Sequence, residues 1–168
     1  IRVLDELKEE GVQEIYYSGG EPFTRSDMVN ILTETRKRRI LANVSTNGSF
    51  LTLSMAEKLK EIDVNLIHIS LDSDEEDKYN MFRGGDYYRE TVEAICNAKK
   101  AGLYVRVGAV IWRDNAQRLQ EMIEFLISHQ VDEVVFNWLI KAGRFKDNSE
   151  LGISLDEFDH LIHQVCSF

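Results

Sequence analysis

The chain has 168 residues, one domain's worth and enough to bury a sizeable core. Hydrophobic residues make up 43% and charged residues 29%, an ordinary soluble globular balance, and a formal charge of −9 argues against a nucleic-acid partner, which demands a basic face. No apolar run approaches the roughly 18 residues of a membrane span and no signal-peptide pattern opens the chain, while two distant cysteines, Cys96 and Cys166, suggest neither a disulfide framework nor a cysteine metal site, so the expectation is cytoplasmic.

Ile1 to Glu10 places Ile1, Leu4 and Leu7 at helical spacing and predicts an amphipathic helix. No strand or initiator methionine precedes it, so the expectation is one incomplete domain, residues 1–168, with its first strand missing. The next element, a strand at Glu14–Ser18, runs into Gly19-Gly20-Glu21-Pro22. Glycines reach backbone conformations closed to other residues. Pro22, the chain's one proline, fixes its own φ and biases Glu21 toward an extended shape. Such a turn exposes carbonyl oxygens at a strand end beside a carboxylate, which suits an ammonium group; a plain strand-to-loop turn is the alternative.

A helix over Ser26–Arg39 follows, and its cationic end, Arg36–Arg39, suits the helix dipole. Then come a strand at Leu41–Thr46, a helix at Thr52–Ile62 and a strand at Leu66–Leu71. Asp72–Asp77 reads as a solvated loop, with calcium or magnesium binding as the lesser alternative. A helix at Tyr87–Ala101, a strand at Tyr104–Ile111, a helix at Asn115–Gln130 and a strand at Glu133–Leu139 complete the alternation. A last helix starts from Ser154, with Glu157 completing a capping box.

Strands separated by helices predict βαβ units and a parallel sheet. In a doubly wound sheet the central strands are apolar on both faces. Here Ile67, Ile69 and Leu71 oppose His68, Ser70 and Asp72, and Ala42 and Val44 oppose Asn43, Ser45 and Asn47. Val105, Val107 and Ala109 oppose Arg106 and Gly108, and Val134, Phe136 and Trp138 oppose Asn137. One apolar face under helices and one polar face imply an open barrel around a polar ligand or water. A polar network, or a face left wet by missing strands, is the competing reading.

Tyr17-Ser18-Gly19-Gly20-Glu21-Pro22, Ser45-Thr46-Asn47-Gly48 and Ile69-Ser70-Leu71-Asp72-Ser73 occur in that order, each at a strand end. With Arg83-Gly84, Lys100-Ala101-Gly102, Asn115 and Gly143-Arg144, they resemble the radical S-adenosylmethionine (radical SAM) enzymes. The likeness covers nearly the whole chain and points to the SPASM-like branch, whose members mature peptides and cofactors and often carry extra C-terminal clusters. It implies a partial, open (β/α)6 TIM-like barrel of α/β class, an oxidoreductase binding S-adenosylmethionine and a 4Fe-4S cluster, and a flavodoxin or ferredoxin as reductant. Reductive cleavage of the cofactor would give a 5′-deoxyadenosyl radical that takes hydrogen from a peptide or small-molecule substrate. By the same resemblance the Gly19 and Gly20 carbonyls with Glu21, beside Pro22, would hold the methionine ammonium. Ser70 and Asp72 would meet the ribose hydroxyls or the carboxylate, and Asn47 the sugar or methionine portion. Val110 and Leu139 would flank the adenine. Arg106 would meet a carboxylate of cofactor or substrate, or pair with Asp72.

One departure stands against these matches. The family's cluster is held by three cysteines spaced CxxxCxxC, and this chain has no such motif. Cys96 reads as a small buried hydrophobe on a helix. No metal ligands are therefore assigned, and the chain alone is expected to be inactive. His160 and His163 could share a metal, and His68 could serve as an acid or base, but structural roles compete with both. Two rival functions remain: a non-catalytic scaffold or degenerate paralogue, and a non-radical barrel enzyme acting on a small polar metabolite.

Overall fold

The structure, a computed structural model, describes residues 1–140 and 151–165. Among these lie five strands: β1 Glu14–Tyr17, β2 Leu41–Thr46, β3 Leu66–Ser70, β4 Val105–Ile111 and β5 Glu133–Trp138. The helices between and around them are α1 Arg2–Glu9, α2 Met28–Lys37, α3 Leu53–Glu61, α4 Glu76–Arg83, α5 Tyr88–Lys100, α6 Arg113–Ala116, α7 Leu119–Ser128 and α8 Leu155–Val165. A 3₁₀ turn, Pro22–Thr24, follows β1. All strand pairs are parallel and the order is β1-β2-β3-β4-β5. A doubly wound sheet reverses its strand order at a switch point. This sheet does not, so it forms an open barrel wall, the expected α/β architecture.

Ala42, Val44, Ile67, Ile69, Val105, Val107 and Ala109 are buried against Leu32, Leu59, Ile95 and Met122 of the helices. On the other side Ser45, His68, Ser70 and Arg106 are half-buried. Asn43 also projects there but is fully buried. Its amide donates to Glu14 at 2.5 Å and accepts from Asn65 at 2.9 Å. Edge strand β5 is the exception: Val134 and Phe136 are only half-buried and Trp138 is 41% exposed. Its indole N–H is satisfied by the Ile153 carbonyl at 2.9 Å.

Two elements differ from expectation. The acidic stretch beginning at Asp72 leads into α4, which is capped at its C-terminus by Gly84 in the left-handed region (φ 76°). Within α4 only Tyr79 is buried, so no apolar stripe announces the helix. The expected helix Asn115–Gln130 is instead α6 and α7, broken at Gln117–Arg118. The α8 capping box forms as expected: Ser154 N–H donates to Glu157 Oε2 at 2.7 Å, and Glu157 N–H donates to Ser154 Oγ at 3.2 Å.

Candidate functional site

After β1 the chain turns through Gly19, at φ +150°, into an extended Glu21 (φ −149°, ψ 115°), the shape a following proline favours. Pro22 is buried at the start of the 3₁₀ turn. The Glu21 carboxylate accepts from Phe23 N–H at 3.1 Å, from Thr46 Oγ1 at 2.9 and 2.8 Å, and from Asn47 N–H at 2.8 Å. Glu21 therefore clamps the turn onto the end of β2. A Cβ placed on Gly19 or Gly20 would meet nothing within 4 Å. The backbone here borders open space, where a ligand can approach carbonyl oxygens closely.

Asn47 is exposed, and its side-chain oxygen accepts from Ser49 N–H at 2.9 Å and Ser49 Oγ at 2.7 Å. Gly48 takes φ +92°, and a Cβ there would lie 2.9 Å from the Ala94 Cβ, so only glycine fits between β2 and α5. Asn47, Tyr79, Arg83, Tyr87, Glu90 and Thr91 line a cavity of about 290 Å³ at this end of the sheet.

The expected pair Ser70 and Asp72 divides. Ser70 is half-buried, and its hydroxyl has no partner among the described residues. Asp72 is 1% exposed: it accepts from Val110 N–H at 2.9 Å and forms an ion pair with Arg83 at 2.6 Å. Arg106 does not pair with Asp72. Its guanidinium meets Glu133 at 2.8 Å and Tyr16 Oη at 3.5 Å. It lies four residues before Val110, about 13 Å along an extended strand. Arg106 is thus apart from the strand end at Val110. Val110 and Leu139 sit on adjoining strand ends, because Val110 is in register with Asn137. Leu139, however, is buried and lines a separate, mainly apolar cavity of about 630 Å³ with Trp138, Ile140 and Ile153.

Sequence reasoning left Asn115 without a role. Its buried amide donates to the carbonyls of Asp72 at 2.6 Å and Val110 at 2.8 Å, and accepts from Trp112 N–H at 2.8 Å. One side chain thereby ties the ends of β3 and β4 together. The available signal is its place three residues into a helix after a strand, where a side chain reaches back to the cap. His68 projects from the same side as Ser70. Burial chiefly, then the Arg106 charge, lowers its pKa below the usual imidazole value, while Glu133 opposes that shift.

The described residues contain no group of three His, Cys, Asp or Glu side chains that could hold a metal. Cys96 is half-buried on α5, and His163 is 3.6 Å from Asp159. Gly143, Arg144 and Cys166 lie outside the described residues. Open backbone at Gly19–Gly20, the unpartnered Ser70 hydroxyl and exposed Asn47 fit the polar atoms of a nucleoside carrying an amino acid. An iron–sulfur cluster does not fit: a cysteine set for it is lacking in the sequence.

An open wall of five parallel strands with one polar side and helices on the other defines the class of protein. A family model described as the Radical SAM superfamily matches residues 1–126, and the chain belongs to that family. It is 28% identical to Fe-coproporphyrin III synthase of Methanosarcina barkeri over 92% of this chain and 39% of that protein. It is 32% identical to PqqA peptide cyclase of Granulibacter bethesdensis over 74% of this chain and 33% of that protein. Among solved structures, Streptococcus suis SuiB bound to precursor peptide SuiA superposes with a TM-score of 0.83 at 20% identity, over 98% of this chain and 37% of that one. AnSMEcpe with bound AdoMet and the Cp18Cys peptide gives 0.82 at 18% identity, over 99% and 50% respectively. The chain thus spans half or less of each of these relatives. No described helix is long and apolar enough to cross a membrane.

Proposed function

We propose that this chain, acting as one domain, is the S-adenosylmethionine-holding core of a radical SAM enzyme of the SPASM-like branch, active in the cytoplasm on a peptide or cofactor precursor. In the complete enzyme, bound S-adenosylmethionine with a 4Fe-4S cluster and a flavodoxin or ferredoxin reductant would supply a hydrogen-abstracting radical. The residues of this chain bind and orient: the Gly19 and Gly20 carbonyls receive the ammonium group, the Ser70 hydroxyl meets the sugar or carboxylate, and Asn47 closes the corner. Glu21 sets the turn through its bonds to Thr46 and Asn47, and Asp72 sets the β4 end at Val110. The names of two relatives, a peptide cyclase and a synthase of Fe-coproporphyrin III, support the choice of substrate class.

The observation that carries this reading is the open space over Gly20, which does not take a left-handed φ. Gly20→Val therefore adds bulk without backbone strain. Equilibrium dialysis with labelled S-adenosylmethionine should show saturable binding to the chain and at least a tenfold loss in Gly20→Val, at an unchanged unfolding transition. Equal binding by the two proteins would remove the turn from the site.

A further inference from the structure

We propose that His68, Arg106 and Tyr16 form an amide-reading subsite on the polar side of the sheet, below the cofactor corner, which takes a backbone amide of a peptide substrate. It rests on the reading above that the enzyme acts on a peptide, and it places that substrate on the polar side of the sheet. Ser45, His68, Arg106 and Glu133 stand in register across β2, β3, β4 and β5, and Tyr16 reaches Arg106 from β1. The imidazole reaches over β4: a Cβ on Gly108 would come 2.3 Å from His68 Nε2, so the ring occupies the place of a side chain. His68 is half-buried and has no hydrogen-bond partner among the described residues.

Charge decides the ligand. Arg106 is already matched by Glu133 at 2.8 Å, so a substrate carboxylate entering here would face that Glu133 carboxylate. What remains is donor capacity: Arg106 Nη1 has only the Tyr16 hydroxyl, at 3.5 Å, the outer limit of a hydrogen bond. Beside it stands an imidazole biased toward its neutral form, which offers an acceptor nitrogen. An uncharged group with one acceptor and one donor satisfies both, and a peptide amide is such a group. Its carbonyl accepts from Arg106 and Tyr16 while its N–H donates to His68.

The test follows the histidine ring signals of the full chain by NMR during titration with N-acetyl-glycyl-glycinamide, with acetate as the charged counterpart. The neutral peptide should move the His68 signals saturably and shift their titration midpoint to lower pH, because the amide N–H binds only the neutral ring. His129, His160 and His163 should stay still. Arg106→Gln should weaken the response at least fivefold, and Gly108→Ala, which displaces the ring, should abolish it. A His68 that ignores the peptide, or that acetate moves to a higher midpoint, overturns the subsite. Dialysis with S-adenosylmethionine on the same sample separates the two readings. Retained cofactor binding with a silent His68 sinks only the subsite, whereas a responsive His68 without cofactor binding sinks only the cofactor corner.

Discussion

Asn115 shows how one buried amide fixes the rim of the site. Asn115→Ala would leave the Asp72 and Val110 carbonyls and the Trp112 N–H without their partner. Buried groups left unmade cost about 1–3 kcal/mol each, so a loss of about 3 kcal/mol is expected, seen as a lower urea midpoint at constant m-value. His68 sets a pH dependence. Its folded pKa lies below the ordinary value of 6.5, so the unfolded chain binds more protons just beneath that pH. Stability should therefore fall as pH drops from about 7 toward 5, and His68→Gln should flatten that slope in unfolding curves taken across the range. Both glycines and Pro22 of the opening turn were readable because their effects are local. The partners of Glu21, Thr46 and Asn47, lie 25 and 26 residues away, and no local pattern names them.

Strands β1 to β4 and helices α3, α5 and α8 were legible because apolar alternation or capping chemistry marks them. Helix α4 was not, since its single buried side chain leaves no periodic stripe. Nor was the break between α6 and α7 at Gln117–Arg118, which no glycine or proline marks in the sequence. Gly48 marks where an element junction has no slack. Gly48→Ala must hold φ +92° and push its Cβ against Ala94, which lies 2.9 Å away. A cost of about 1–3 kcal/mol is expected from thermal or denaturant unfolding. It should also disturb Asn47, which the same turn positions; Ala94→Gly should recover part of the loss.

The assembled molecule binds its polar residues into rows that no segment contains. The site corner joins the ends of β1 and β2 through Glu21, and those of β3 and β4 through Asp72 and Asn115. The chain alone is expected to be inactive, because holding a cluster takes three thiolates brought together. With Cys96 and Cys166 as its only thiols, reconstitution with iron and sulfide should leave no absorbance near 400 nm that survives desalting. A stable brown chain with a full cluster would refute that expectation.

Periodicity and turn chemistry are properties of neighbouring residues, so the sequence determined the α/β class, the two-sided strands and the Gly19–Pro22 turn. Which polar groups remain open to a ligand depends on partners brought from other strands. Only folding decided that Asp72 is consumed by Arg83 and Val110, that Arg106 answers Glu133 rather than Asp72, and that the Ser70 hydroxyl and the His68 ring have no hydrogen-bond partner among the described residues. A buried charge must find its counter-charge wherever the chain places one.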